Sequence, residues 1–191
     1  MTEREIREIF QRTGAILEGH FLLTSGRHSS IYIDKFRVLQ HPLYTAKLCQ
    51  ELAERFSGIE IDLVAGPAAG GIILAYEMAR ILEVRGIFCE RVDGKLIFKR
   101  DFEIGPGNKV LVVEDVSTTG GSVREVIDSV RLKGAEVAGV GILVDRSEEG
   151  LDFGVKTEKL LRIKIPTCRP EDCSMCEEGI GLRVMGRTGK K

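Results

Sequence analysis

The stretch VLVVEDVSTTGGSV, residues 110–123, combines features that a hydrophobic core alone does not require. Residues 110–113 are apolar and predict a buried strand. Two carboxylates, Glu114 and Asp115, follow directly, and hydroxyl and glycine residues follow them. Glycines let a ligand approach the backbone closely, and hydroxyls and free N–H groups bind anions. The stretch therefore predicts a site for a small, charged and hydroxylated molecule.

Apolar segments alternate with amphipathic ones on both sides of this stretch. Near-continuous apolar runs, which are typical of strands buried on both faces of a parallel sheet, cover residues 61–66, 86–89, 110–113 and 137–144. Residues 70–82 and the segment after Pro42 carry the apolar period of helices. The alternation predicts an α/β fold with a mostly parallel central sheet flanked by helices, in one domain of residues 1–191.

Two further elements are predicted before the first apolar run. Residues 2–18 follow a helical stripe that includes Leu17, and Thr2 and Glu5 have the spacing of a capping box. Residues 21–34 form a hairpin-like region around Ser25-Gly26-Arg27.

The composition argues against several classes of protein. Lys and Arg total 28 against 29 acids, and no basic stripe is interleaved with aromatic residues, so extended nucleic-acid binding is not expected. No apolar run has the length of a membrane span, and the first residues have no signal-peptide pattern. Five cysteines, an odd number, suit a reducing compartment. We therefore expect a cytoplasmic protein with no nucleic-acid or membrane partner.

The chemistry of residues 114–122 favours a ribose 5-phosphate as ligand. Ligands of open α/β sheets bind beyond the carboxyl ends of the strands, where a helix N-terminus can hold a phosphate dianion. Glu114 and Asp115 would repel phosphate, so we expect them to accept hydrogen bonds from sugar hydroxyls or to face a divalent cation. A capped turn with two solvated acids is the alternative interpretation. The GxxxxGK[ST] and GxGxxG phosphate motifs are not present.

Residues 92–108 break the alternation. They mix charged and apolar residues around Asp93-Gly94 and end in the turn-rich Gly105-Pro106-Gly107-Asn108. Two interpretations stay open. The segment is either a surface hairpin or a mobile lid whose Lys95, Lys99 and Arg100 contact an anion.

Residues 110–123 resemble the phosphoribosyl-diphosphate motif of type I phosphoribosyltransferases. Three further stretches, in the same order along the chain, are similar to segments of the orotate phosphoribosyltransferase family. Residues 23–32, LTSGRHSSIY, resemble its N-terminal substrate segment, and residues 66–72, GPAAGGI, resemble its diphosphate-side loop. Residues 143–146, LVDR, end a strand in the Asp-Arg pair that the family uses near orotate. The resemblance covers roughly residues 14–150.

The resemblance implies a type I phosphoribosyltransferase fold with a small N-terminal hood and a mobile lid. It implies transfer of the 5-phosphoribosyl group from phosphoribosyl diphosphate to orotate, giving orotidine 5′-phosphate and diphosphate in de novo pyrimidine (UMP) biosynthesis. Mg²⁺ would be the cofactor, held mainly by substrate, and the protein would be a homodimer. The implied divisions are an N-terminal substrate segment (residues 1–40), a lid (residues 92–108) and a C-terminal extension (residues 166–191).

The resemblance also assigns roles to individual residues. The residues implied to bind phosphoribosyl diphosphate are Glu114, Asp115, Val116, Ser117, Thr118, Thr119, Gly120, Gly121 and Ser122. Thr118 and Arg146 would bind orotate. Asp115, Glu114 and Lys99 would act in catalysis.

Some positions depart from the better-known members of the family. Thr24 and Gly70 stand where those members have lysine, and Cys89-Glu90-Arg91 stands where their lid begins with an Arg-Lys pair. We interpret the chain as a variant branch, since the ribose-phosphate loop and Arg146 are intact. Transfer to another base is one alternative function, and it predicts that Arg146 is dispensable. A non-catalytic regulator that senses phosphoribosyl diphosphate is another, although such proteins usually add a DNA-binding segment.

Three cysteines lie close together near the end of the chain. Cys173 and Cys176 have the spacing of a zinc-binding pair, and Cys168 can supply a third thiolate. A fourth ligand is not obvious from the sequence, because His20, His28 and His41 lie far away along the chain. Small buried thiols in a C-terminal extension are the alternative interpretation.

Overall fold

The computed structural model describes residues 1–185, which contain ten β-strands in two sheets. The strands are β1 (Ile16–Leu22), β2 (His28–Ile33), β3 (Leu63–Pro67), β4 (Arg85–Val92), β5 (Lys95–Ile97), β6 (Lys109–Ser117), β7 (Glu136–Asp145), β8 (Thr157–Arg162), β9 (Thr167–Cys168) and β10 (Arg183–Val184). The larger sheet has the order β5-β4-β3-β6-β7-β8, and all its neighbours are parallel except β4 and β5. The predicted α/β architecture is confirmed.

Helices cover the larger sheet and connect its strands. The α-helices of the described residues are α1 (Glu3–Arg12), α2 (Phe36–Leu39), α3 (Pro42–Glu54), α4 (Gly70–Leu82), α5 (Gly121–Leu132) and α6 (Ser174–Glu177). The predicted range of α4 and the start of α3 at Pro42 are confirmed. Among residues 1–185, no helix combines the length and the apolar character that a bilayer crossing requires.

Strand β6 shows why the sheet is covered on both faces. Leu111 and Val113 belong to a hydrophobic core that contains residues of α1, α3 and α4. Val110 and Val112 belong to a second core, which contains residues of α5. Successive side chains of a strand point to opposite faces, so the apolar run 110–113 supplies both cores. Each of these fully buried side chains stabilises the fold by roughly 1.5–3 kcal/mol.

The smaller sheet, called the hood below, has the strand order β10-β1-β2-β9. Strands β1 and β2 form the predicted hairpin. The C-terminal part of the chain adds a strand to each edge, since β9 pairs antiparallel with β2 and β10 pairs parallel with β1. Of the predicted C-terminal extension, residues 166–185 lie along the hood, and residues 186–191 fall outside the described residues.

The N-terminal helix is shorter than the predicted residues 2–18. Its capping box is confirmed, because the Glu5 N–H donates to Thr2 Oγ1 at 3.3 Å and the Glu5 carboxylate accepts from the Thr2 N–H at 2.7 Å. The helix ends at Arg12, and Gly14 then adopts a φ of +65°. Leu17, predicted on the helical stripe, pairs instead with Tyr32 across the hairpin. Pairing between strands outweighs the local helical period here.

Candidate active site

The loop between β6 and α5 has the features of an anion site. Gly120 precedes the first turn of α5 with a φ of +78°, and no side chain caps this helix N-terminus. Thr119 Oγ1 accepts from the Gly121 N–H at 3.4 Å, a long contact that places one hydroxyl beside the first N–H group of the helix. Uncapped N–H groups and the helix dipole favour a bound anion. Thr118, Thr119 and Gly121 are exposed, Val116 and Ser122 are half-buried, and Ser117 and Gly120 are buried.

The two acids that precede this loop are buried rather than solvated. Glu114 is 6% exposed and Asp115 is 1% exposed, so the alternative of two solvated acids is wrong. The Lys35 ammonium donates to Asp115 Oδ1 at 2.9 Å and lies 2.7 Å from Oδ2. Burial acts to lower the pKa of Lys35, but the charge and hydrogen bond of Asp115 outweigh it and raise that pKa. Lys35 is therefore held as a cation beside the Asp115 carboxylate.

The second acid is in a less favourable environment. Burial, and then repulsion by the neighbouring Asp115, raise the pKa of Glu114 well above its ordinary value, although Lys35 partly opposes this. The Asp115 N–H donates to Glu114 Oε1 at 3.1 Å. A carboxyl group in such an environment is costly to ionise in the free protein. Its ionised form is stabilised when a bound ligand supplies hydroxyl donors or positive charge.

Replacing Glu114 by Gln is expected to stabilise the ligand-free protein at neutral pH. The folded-state pKa of Glu114 is raised, so its contribution to stability is fully present below the unfolded pKa and is lost as the pH rises through the folded pKa. Gln cannot ionise, so thermal melts at pH 7.5 should show Glu114→Gln to be more stable by about 1 kcal/mol or more. The difference should narrow at pH 5. Glu178→Gln, at an exposed position, is the control. A difference that is independent of pH would contradict the assignment.

Arg146 lies beside the loop between β6 and α5 (residues 117–122, called the phosphate loop below after its predicted role) and immediately after β7. Its backbone N–H donates to the Ser117 carbonyl at 2.8 Å. Its Nε is buried and has no hydrogen-bond partner within residues 1–185. Burial lowers the pKa of Arg146, and nearby Tyr32 acts in the opposite sense. Within residues 1–185, Arg146 forms no ion pair with Glu148 or Glu149, so the guanidinium remains available to an anionic ligand.

Asp145, the other half of the Asp-Arg pair, shapes the turn that presents Arg146. Its side chain is fully buried, and Oδ1 accepts from the Ser147 N–H at 2.8 Å and from the Ser147 hydroxyl at 2.6 Å. Its Oδ2 lies 3.7 Å from Lys159 Nζ and 3.9 Å from Arg162 Nε. These contacts fix the backbone at residues 145–147, so Asp145 acts as a positioning residue.

The loop after β3 lies at the same edge of the sheet as the phosphate loop. A Cβ on Gly70 would lie 1.6 Å from Asp115 Oδ2, so the lysine of better-known family members does not fit here without rearrangement. A Cβ on Gly66 would lie 2.3 Å from the Gly71 carbonyl oxygen. These glycines let the diphosphate-side loop approach the buried acid directly.

Sequence reasoning missed Lys35. Asp115 is 80 residues away along the chain, and the fold of the hood brings the two side chains together. Tyr32 lies in residues 23–32, which resemble the substrate segment of the family, but the sequence does not indicate that it lies near Lys35 and Arg146. The available signal was a lysine just after a predicted strand of the hairpin, which is a weak one.

The predicted lid region has two parts. Residues 92–97 are a packed hairpin that turns at Asp93 and Gly94, where φ is +48° and +81°. Leu96 is 3% exposed and its carbonyl accepts from Ser129 Oγ at 2.6 Å, which fixes this part against α5. Residues 98–108 have no regular secondary structure, and the lid stays a prediction for them.

The cations of this region differ in their surroundings. Arg100 pairs with Glu90 at 2.9 Å. Lys95 and Lys99 are exposed, and Lys99 has no ion pair within the described residues. Lys95 has no ion pair there either, but it lies on the packed hairpin, so Lys99 is the unpaired cation in the irregular part of the segment.

Comparison with known proteins identifies the family of this chain. The family model described as "Phosphoribosyl transferase domain" matches residues 38–153, so the fold and the loop after β6 define a phosphoribosyltransferase. The orotate phosphoribosyltransferase of Pelotomaculum thermopropionicum is 58% identical over 94% of this chain and 95% of its own length. That of Thermotoga maritima is 46% identical over 97% of this chain and 100% of its own length.

Solved structures place the chain in the same group. The crystal structure of orotate phosphoribosyltransferase from Aeropyrum pernix aligns with a TM-score of 0.70 and 30% identity, over 83% of this chain and 94% of that one. The chain belongs to the orotate phosphoribosyltransferase family.

Proposed function

We infer that this protein transfers the 5-phosphoribosyl group from phosphoribosyl diphosphate to orotate, giving orotidine 5′-phosphate and diphosphate in de novo pyrimidine (UMP) biosynthesis. The observation that carries this inference is one meeting point at the edge of the larger sheet. The N-terminus of α5 and the buried acids Glu114 and Asp115 lie there. The guanidinium of Arg146 lies there too, and its Nε has no hydrogen-bond partner within residues 1–185. They match the phosphate, the ribose hydroxyls and the orotate carboxylate.

We propose that residues 117–122 bind the 5-phosphate. The first N–H groups of α5 and the hydroxyls of Thr118, Thr119 and Ser122 are the donors, and Gly120 and Gly121 permit close approach. Glu114, Asp115 and Val116 complete the contact with the sugar, and the two carboxylates accept from its hydroxyls. Binding therefore fixes the ribose at both ends.

Catalysis in this proposal depends on charge. Positive charge grows on the ribose ring as its bond to diphosphate breaks, and the carboxylates of Glu114 and Asp115 stabilise it. Lys35 pairs with the Asp115 carboxylate and so balances part of the negative charge that the two acids bring to the site. Arg146, assisted by Thr118, binds orotate and orients its ring nitrogen toward the ribose. The mechanism requires no covalent nucleophile on the protein.

Mg²⁺ fits the chemistry of this site. Asp115 Oδ2 is buried and faces only the Lys35 ammonium, at 2.7 Å, among residues 1–185. Glu114 adjoins Asp115, and carboxylate oxygens are ligands that Mg²⁺ prefers. Because Mg²⁺ binds few protein groups and keeps water or substrate oxygens, we propose that substrate holds most of it. When bound, it would neutralise negative charge on the departing diphosphate.

We further propose that the protein is a cytoplasmic homodimer. The outer face of α4 supports self-association, because Tyr76 is 72% exposed and Ile73 is 38% exposed. Large exposed apolar side chains that adjoin one another are typical of association surfaces.

The lid proposal predicts that Lys99→Ala lowers kcat about tenfold or more, a loss of roughly 1.4 kcal/mol of transition-state stabilisation. The ammonium is exposed, so its removal should leave the melting temperature unchanged. Lys95→Ala, at an exposed position on the packed hairpin, is the matched control and should have a smaller effect. Steady-state kinetics measure both variants. If the triple variant of Lys95, Lys99 and Arg100 to Ala keeps kcat within about twofold, the region is only a hairpin.

Release of diphosphate tests the proposed function against the two alternatives. With phosphoribosyl diphosphate and Mg²⁺ present, orotate should trigger stoichiometric release, whereas uracil and adenine should not. Release with one of those bases and not with orotate would identify a different acceptor. Binding of phosphoribosyl diphosphate without turnover on any base would identify a regulator.

A further inference from the structure

Two histidines and two cysteines meet on the hood. His20 lies on β1 and His28 on β2, and Cys173 and Cys176 come from the C-terminal segment that follows β9. The candidate ligand atoms of these four residues all lie within 4.8 Å of one another. His20, His28 and Cys173 are buried, at 2%, 4% and 1% exposure. The cluster is separate from the phosphate loop and from Arg146, and the proposed reaction makes no use of it.

Three sulfur-to-nitrogen distances within the cluster match the edges of a coordination tetrahedron. Zn–N bonds near 2.0 Å and Zn–S bonds near 2.3 Å give ligand-to-ligand edges of about 3.3–3.8 Å. Cys173 Sγ lies 3.4 Å from His20 Nε2, and Cys176 Sγ lies 3.7 Å from His20 Nε2 and 3.4 Å from His28 Nδ1. The two ring nitrogens are 2.9 Å apart, slightly closer than such an edge. Small movements of the side chains would place all four atoms around one ion.

The hydrogen bonding of His20 also fits a metal ligand. Its Nδ1 lies 2.8 Å from the Ile180 carbonyl oxygen, which only accepts hydrogen bonds. Nδ1 therefore donates to this carbonyl, and the other ring nitrogen, Nε2, faces the cluster. A ligating histidine usually donates its other N–H to a carbonyl or carboxylate in this way, which fixes the ring.

We propose that His20, His28, Cys173 and Cys176 bind a structural Zn²⁺ ion. Two imidazoles and two thiolates are a common ligand set of tetrahedral zinc, and residues 173 and 176 have the short spacing typical of its cysteine pairs. Four protein ligands leave no open coordination position for a substrate, so the ion has a structural role. His20 and His28 are far from the cysteines along the chain, but the fold brings them to Cys173 and Cys176 and completes the set of four ligands.

Cys168 is not one of the four ligands. The sequence allows it as a third thiolate, but it does not belong to the cluster of candidate ligand atoms. Its thiol lies 3.9 Å from the His28 carbonyl oxygen and is within hydrogen-bond reach of Cys173. It borders the site and provides a matched control, because it is a thiol in the same segment and outside the ligand set.

A bound ion would stabilise the attachment of the C-terminal segment to the hood. Its outer strands β9 and β10 contain two residues each, and α6 contains four, so backbone pairing alone holds this segment weakly. A metal that links β1 and β2 to residues 173 and 176 fastens the C-terminal segment across the hairpin. The hood also carries Tyr32, and Lys35 follows it closely, so loss of the ion should affect the position of substrate-binding groups.

Metal analysis of the purified full-length chain tests the proposal. Protein produced in zinc-supplemented medium should contain one Zn per chain by elemental analysis, and Cys168→Ser should contain the same amount. Cys176→Ser and His28→Ala should lose most of it. Metal-free wild-type protein from zinc-supplemented cells, or equal loss in Cys168→Ser, would overturn the proposed site.

Cobalt gives a readout that does not depend on the folding of a variant. After removal of metal by a chelator, the wild-type chain is titrated with Co²⁺ alone. The proposal predicts intense visible bands of tetrahedral Co²⁺ and a sulfur-to-cobalt charge-transfer band, both removed by added Zn²⁺. Chelation should lower the melting temperature, and Zn²⁺ but not Mg²⁺ should restore it. No tetrahedral spectrum, with melting unaffected by chelation, would show that the cluster is only hydrogen-bonded or disulfide-forming.

Discussion

Arg146→Ala is expected to lower kcat/KM for orotate by about a hundredfold or more, a loss of roughly 3 kcal/mol of binding to the transition state. The orotate carboxylate needs a planar cation that can donate two parallel hydrogen bonds, and Arg146 presents a buried Nε with no partner within residues 1–185. Phosphoribosyl-diphosphate affinity should change by less than about twofold, because a different set of donors binds its phosphate.

Two further variants sharpen this test. Arg146→Lys should recover only part of the activity, since an ammonium cannot reproduce the planar fork. Arg55→Ala is the control, because it removes a half-buried arginine whose guanidinium contacts Glu51 and the Lys159 carbonyl rather than the candidate site. Orotate kinetics near those of the wild type in Arg146→Ala would mean that the base or the residue is wrongly assigned.

Gly120→Val is expected to reduce turnover by about two orders of magnitude, because a displacement near 1 Å in a catalytic site has an effect of that size. Gly120 has a φ of +78°, which is unfavourable for any β-branched residue, and an added Cβ would lie 2.9 Å from the Phe153 ring. Either the loop or the ring must move. The N–H groups of α5 would then no longer converge on the 5-phosphate, and affinity for phosphoribosyl diphosphate should fall.

The other end of α5 provides a matched control for the strain itself. Gly134 follows this helix with a φ of +77°, and its added Cβ would lie 3.1 Å from the Pro106 ring. Gly134→Val should destabilise the protein comparably, while calorimetric titration shows unchanged affinity for phosphoribosyl diphosphate. Equal affinities in the two variants would remove the phosphate assignment from residues 117–122.

The sheet and the phosphate loop could be predicted because their signals are local. The apolar run at residues 110–113 supplies both cores, and the loop that follows contains adjacent acids, hydroxyls and glycines. Arg146 could be proposed because a residue just after an apolar parallel strand lies at the ligand-binding edge. The helix predicted for Leu17 is wrong. The apolar helical period continues past Gly14 in the sequence, but the chain forms a strand there.

The remaining features depend on contacts between distant parts of the chain. Lys35 and Asp115 are 80 residues apart, and His20 and Cys173 are 153 residues apart. No local period or spacing in the sequence encodes either contact. The contact of His20 with Cys173 also requires the C-terminal segment to pair with both edges of the β1–β2 hairpin. The surroundings of Asp115 likewise depend on distant parts of the chain, namely Lys35 and the loop after β3 at Gly70.

The central claim is that this chain joins orotate to the ribose of phosphoribosyl diphosphate. Ultraviolet absorbance of orotate, followed after addition of the purified full-length protein with phosphoribosyl diphosphate and Mg²⁺, tests it most directly. The account predicts a loss of orotate absorbance equal to the orotidine 5′-phosphate formed, and a strong reduction of the rate in Arg146→Ala. Constant absorbance with folded wild-type protein that still binds phosphoribosyl diphosphate would contradict it.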